Sequence, residues 1–153
     1  MISQEQVLNA GLTSIRSTYE QLYPMPVSMR RGNYQARFIG PLWLRALAPI
    51  SLWLTGLPGW WGKRFMHDAE ATNILVKNGR RVEKMSMHCI EDRSLIDGKP
   101  TVALHYGNKA PIPWRWVVDE IRVLDDHTLL CMTVVNLPVL KHLSFPFLLS
   151  REP

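Results

Sequence analysis

The chain has 153 residues, with 18 Lys and Arg against 13 Asp and Glu, a formal net charge of +5, 46% hydrophobic and 20% charged residues. That length and balance suit a single domain, 1–153, around one core, and exclude disordered, collagenous and low-complexity classes. The positive excess favours anionic partners, but no run of Lys and Arg exceeds two residues, so no nucleic-acid module is expected.

The leading segment, 1–24, reads as a helix packed on the rest. Ser3 and Gln6 have capping-box spacing, and Val7, Leu8, Leu12, Ile15, Tyr19 and Leu22 recur at three- and four-residue steps. Its first residues, MISQEQVLNAGL, place acidic and amide groups where a secretion signal needs positive charge and then an apolar run. Cys89 and Cys131 lie far apart and form no CxxC, which speaks against a disulfide framework. Both observations point to a cytoplasmic protein.

Pro24 and Pro26 stop the helix. NYQARFIG (Asn33 to Gly40) then alternates as a first strand. Next comes an unusual stretch: Gly40 to Trp61 is rich in Leu and Trp and holds one charge, Arg45. Pro41 and Pro49 suit the first positions of two short helices, about 42–48 and 50–57, within an insert over 41–58. The apolar run is too short, and too interrupted, to span a bilayer. Its residues surround the helix instead of forming one stripe, so such a segment must be covered on more than one side. Leu47 and Trp53 are its candidate ligand contacts. Arg30, Arg31, Arg37, Arg45, Lys63 and Arg64 bracket it as a basic rim.

Beyond Gly59 the chain reads as antiparallel β. Lys63 to His67 is a short strand, and TNILVK and RVEKMSMHCI flank the hairpin signal Asn78-Gly79. TVALHY follows Asp97-Gly98. WRWVVDEIRV (Trp114 to Val123) and TLLCMTVVN flank LDDH, and LSFPFLLSR ends the series. Eight or nine short strands joined by tight turns predict a mainly β fold: an antiparallel barrel over 33–151, with the helical pair after the first strand capping one end.

WWGKRF, through Trp61, Gly62, Lys63 and Phe65, resembles an element of the uncharacterised GXWXG-type family and its associated C-terminal domain. DEIRVLDDHTLLCM, through Asp119, Arg122, Asp125, Asp126, Thr128, Leu130 and Met132, resembles a second signature of that family, and FPFLLSRE resembles its last strand. Gly59-Trp60-Trp61-Gly62 departs from the G-x-W-x-G spacing, and Cys131 stands where the pattern prefers Gly. The resemblance covers roughly the last ninety residues in patches. It implies a lipocalin-like or fatty-acid-binding-like barrel and no particular activity.

Within Trp114 to Val123, two-residue alternation puts Trp114, Trp116, Val118, Glu120 and Arg122 on one face and Arg115, Val117, Asp119, Ile121 and Val123 on the other. Two indoles are costly to leave in water, so the Trp face is expected inward. Arg122 would then pair with Glu120 or with an anionic ligand. Tyr106 can offer a hydroxyl, Met87 an adaptable wall, and His88 or His105 the axial ligand that a haem requires. The histidines show no metal-site spacing, and no GxSxG or phosphate-binding loop is present, so no metal or organic cofactor is expected.

The function these features predict is non-catalytic binding of a small hydrophobic or amphipathic molecule, with an anionic end in one version, inside the barrel. Two alternatives stand beside it. One is an enzyme acting on a lipophilic substrate with Asp119 or Glu120 as acid or base. The other is an interaction domain, monomeric or homodimeric, that uses the Trp-rich segment, with peripheral membrane contact as a variant of that use.

Overall fold

The computed structural model describes residues 2–67 and 69–153; Met1 and Asp68 lie outside them. The strands are β1 (Tyr23–Pro24), β2 (Gly32–Phe38), β3 (Trp60–His67), β4 (Glu70–Lys77), β5 (Arg80–Arg93), β6 (Pro100–His105), β7 (Val117–Asp125), β8 (Thr128–Val135) and β9 (Ser144–Arg151). From β2 to β9 each strand pairs antiparallel with the next, and β9 pairs back onto β2. The result is a closed eight-stranded up-and-down barrel. β1 is an extra strand that pairs with β7 at Val123 and Arg122. At the β4–β5 hairpin, Asn78 and Gly79 have φ of 51° and 74°, the positive pair a tight turn demands. Gly62 makes the β2–β3 contact possible, because a Cβ there would collide with the Tyr34 carbonyl oxygen.

The wall is buried on both sides along part of its circumference. Inside, Met25, Met29, Tyr34, Phe65, Leu104, Ile121, Leu129 and Leu149 fill the lumen from the end opposite the helical insert. Outside, helices α1 (Gln4–Leu8) and α2 (Leu12–Glu20) lay Val7, Ile15 and Tyr19 against Leu124, Leu130, Met132 and Leu148. This explains why TLLCMTVV reads as a nearly continuous apolar run: Leu129 and Cys131 face the lumen while Leu130 and Met132 face the helices.

Three expectations change in detail. The leading helix is two helices, because Asn9 caps the first and Gly11 starts the second. The helical pair is one helix, α3 (Leu42–Leu54), which continues through Pro49. Proline at that point deprives the Arg45 carbonyl of its usual donor but does not stop the helix. Its last turn is closed by Thr55, whose N–H donates to the Leu52 and Ser51 carbonyls. Finally, Trp114–Trp116 form a 3-10 turn, not the start of a strand. Pro111 and Pro113 precede it, and proline has no N–H for a ladder. Strand alternation therefore begins at Val117, which decides what β7 turns inward.

Candidate functional site: a chamber under α3

The lumen is not filled to its α3 end. There a chamber of about 320 Å³ remains, at the lower end of the size range of small-molecule sites. One wall is α3, through Trp43, Leu44, Leu47, Ala48 and Leu52; facing it are Phe145, Pro146 and Phe147, with Phe38, Trp60 and Trp114 between. Trp60 meets Phe147 edge to face at 5.3 Å. Trp114 donates its indole N–H to the Thr55 carbonyl at 2.7 Å, which ties the end of α3 to the 106–116 connection.

One side of this apolar space is polar. Lys63, Asn73, Tyr106, Asp119 and Thr133 all line it. Lys63 and Asp119, both buried, form an ion pair at 2.9 Å. Lys63 Nζ also donates to Asn73 Oδ1 at 3.0 Å and to the Tyr106 hydroxyl at 3.3 Å, and it lies 3.4 Å from Met87 Sδ. Asn73 Nδ2 donates to the same hydroxyl at 3.2 Å, Trp60 Nε1 donates to Asn73 Oδ1 at 3.1 Å, and Thr133 donates to Asp119 at 2.7 Å. Burial disfavours charge on Lys63, but the Asp119 carboxylate outweighs it and holds the amine's pKa above its ordinary value. Burial likewise pushes the Tyr106 phenol up, against the pull of Lys63, so the hydroxyl keeps its proton. That hydroxyl accepts two hydrogen bonds, and no described side chain accepts its hydrogen. It is a donor with no acceptor among the described residues.

Of the residues expected at the site, Tyr106, Trp114 and Leu47 line the chamber, and Met87 is buried against its lysine. The inward Trp face of Trp114 to Val123 is corrected. Val117, Asp119 and Ile121 point into the barrel, whereas Glu120 and Arg122 lie buried on its outer wall beneath α2. There Arg122 donates to both oxygens of Asp97, at 2.6 and 2.9 Å, and to the carbonyls of Tyr19, Lys99 and Pro100. Glu120 accepts from the Tyr19 hydroxyl and the Leu95 N–H. Neither faces a ligand in the chamber, and the pairing expected between them is replaced by Arg122 with Asp97. Trp116 is half-buried in its turn outside the chamber lining, and Trp53 is 65% exposed.

His88 and His105 pair across β5 and β6 on the outside, His88 exposed and His105 3.8 Å from Asp92. An axial ligand for a haem in the chamber does not come from either. Among the described residues no three His, Cys, Asp or Glu side chains gather as a metal-binding group. Lys63, expected on the basic rim, is inside. The signal for it was present: Lys63 and Phe65 alternate within WWGKRF, and the parity that buries Phe65 buries Lys63. Asn73 and Thr133 gave no comparable signal: Asn73 adjoins Thr72, and Thr133 is a small polar residue that suits either face of a strand.

The chain matches no family model, and no curated protein matches it. Its fold has a counterpart in a protein from Thermomonospora curvata whose crystal structure is known. The TM-score is 0.70 over 95% of this chain and 90% of that one, at 18% identity. Similarity at that level speaks for the barrel and its helices alone.

Proposed function

We propose that the chamber binds a compact, mostly apolar molecule bearing one hydrogen-bonding end, and that binding is not followed by reaction. The observation that carries this reading is the Tyr106 hydroxyl, a donor with no acceptor among the described residues, set beside a mutually neutralised Lys63–Asp119 pair at the edge of an apolar space. Apolar contact supplies most of the affinity in such a site, and one or two polar groups set orientation. Asp119 balances the lysine charge, so a neutral acceptor such as a ketone, ether or hydroxyl oxygen suits the site better than a carboxylate. The anionic version rested on Arg122, which faces the other side of the wall.

Trp43, Trp60 and Trp114 line the chamber, and their fluorescence reports occupancy directly. Titration with a compact cyclic ketone, and with the hydrocarbon of the same skeleton, is expected to show uptake of both and preference for the ketone. Ala48→Trp, which fills the wall, is expected to abolish uptake. Undiminished uptake by Ala48→Trp, or none by the parent, refutes the proposal.

A second reading is favoured by one observation: the Asp119 carboxylate lines the same space as the Tyr106 hydroxyl. Asp119 would then be a general base toward a C–H beside a carbonyl held by Tyr106, with Glu120 taking no part. Deuterium exchange into the bound ketone, lost in Asp119→Asn, is the result that would replace binding by catalysis.

A further inference from the structure

We infer that the α3 end of the barrel docks on the surface of an anionic lipid bilayer, with the outer face of α3 seated among the headgroups. Of the thirteen residues of α3 only Leu44 is buried, while Leu42, Ile50, Trp53 and Leu54, none of them in the chamber lining, are each more than half exposed. Val139, Leu143 and Ile112, on other connections between strands, are exposed as well. Because the strands alternate in direction, the connections 39–59, 78–79, 106–116 and 136–143 all lie at this end. All these exposed apolar residues therefore belong to one end of the barrel.

Charge selects the occupant. Those four connections contain no Asp or Glu, and they carry Arg45, Lys109, Arg115 and Lys141. Among the described residues none of these four cations forms an ion pair. The acidic turn residues lie at the other end, Asp97 between β5 and β6 and Asp126 between β7 and β8. A second copy docking face to face would bring cations against cations, whereas an anionic bilayer complements both the charge and the Trp- and Leu-rich surface. A thirteen-residue helix is about 20 Å long, too short to span, and Trp suits the interface where one edge is wet. Among the described residues no helix is long and apolar enough to cross a membrane. The opposite side of α3 lines the chamber through Leu44, Ala48 and Leu52, so the docked face would border the chamber's wall. The inference does not depend on what the chamber binds.

Flotation of the full chain with vesicles tests it, using phosphatidylcholine alone and equal parts phosphatidylcholine and phosphatidylserine. Binding to the mixed vesicles is expected, much weaker to the neutral ones and weakened by high salt. Lys141→Glu should lower partitioning roughly tenfold or more, because each basic residue contributes several-fold at such a surface. Trp53→Glu changes an exposed side chain; with an unchanged circular-dichroism spectrum it should lose about as much. Failure to float with either vesicle, equal affinity for both, or undiminished binding by Trp53→Glu would each overturn the inference. So would a dimer in solution that Trp53→Glu dissociates while no vesicle is bound. Ketone uptake is read in lipid-free buffer, so the two proposals fail separately.

Discussion

Strand β7 contributes to two buried ion pairs through residues three positions apart, and the wall separates them. Asp119 faces the lumen and pairs with Lys63 at 2.9 Å; Arg122 faces outward and pairs with Asp97 at 2.6 Å. The outer pair is surrounded by backbone. Three carbonyls accept from the guanidinium, and the Tyr19 ring lies 4.3 Å below it. Its effect is architectural: it fastens α2 and the 94–99 turn to the barrel. The inner pair is surrounded by side chains, Asn73, Tyr106 and Thr133, and borders open space. A buried charge whose neighbours are main-chain groups is a fastening. One whose neighbours are side chains around a chamber is a site.

Breaking the outer pair should have the largest effect. Arg122→Ala leaves Asp97 buried without its cation, and about 3–5 kcal/mol of stability is expected to be lost in urea unfolding. Ketone uptake by the remaining folded protein should be unchanged. At the inner pair, Lys63→Met should cost about 3 kcal/mol, the lower end of the range for removing one partner of a buried pair, because Thr133 still donates to Asp119. Lys63→Met/Asp119→Leu should recover most of that stability, since apolar replacement of a whole buried pair is often neutral. A double variant no more stable than Lys63→Met would mean that the pair holds the fold as its outer counterpart does. Tyr106→Phe sharpens the contrast further. Stability should change by about 1 kcal/mol or less, while the preference for ketone over hydrocarbon falls roughly fivefold, the value of one hydrogen bond.

The smallest effect concerns acid. Burial raises the Asp97 pKa, but hydrogen bonds from Arg122 outweigh it and hold the carboxyl below its ordinary value. A carboxyl that ionises more readily folded than unfolded contributes fully above its unfolded pKa. That contribution is lost as the pH falls through the folded value. The stability difference between the parent and Asp97→Asn should therefore be constant near neutrality and shrink below about pH 4. A difference that persists undiminished at lower pH would remove the ion pair as its source.

The barrel was legible because its signals are local. Alternation marks the strands, Asn78-Gly79 marks a hairpin whose φ values allow little else, and punctuated short strands leave few architectures. The chamber was legible in part. Tyr106, Trp114 and Leu47 followed from residue type and alternation, but Arg122 and Glu120 were placed on the wrong side because period two was carried through Trp114 to Trp116. The prolines at 111 and 113 set a helical turn there, and one displaced residue exchanges every inward position for an outward one. Lys63 was missed for a different reason: a lone lysine beside an arginine normally marks solvent, and its acid partner lies fifty-six residues away on another strand.

Local residue pattern alone determined that this chain forms strands, tight turns and a strongly apolar helical segment, since those choices depend on neighbours a few positions apart. Tertiary structure decided which face of each strand is inside, which charge meets which, and where the lumen stays open. Those outcomes follow from barrel closure between β2 and β9, and from α1 and α2 covering part of the outer wall. With apolar surroundings on both sides of that wall, hydrophobicity no longer distinguishes in from out, and only the assembled barrel does.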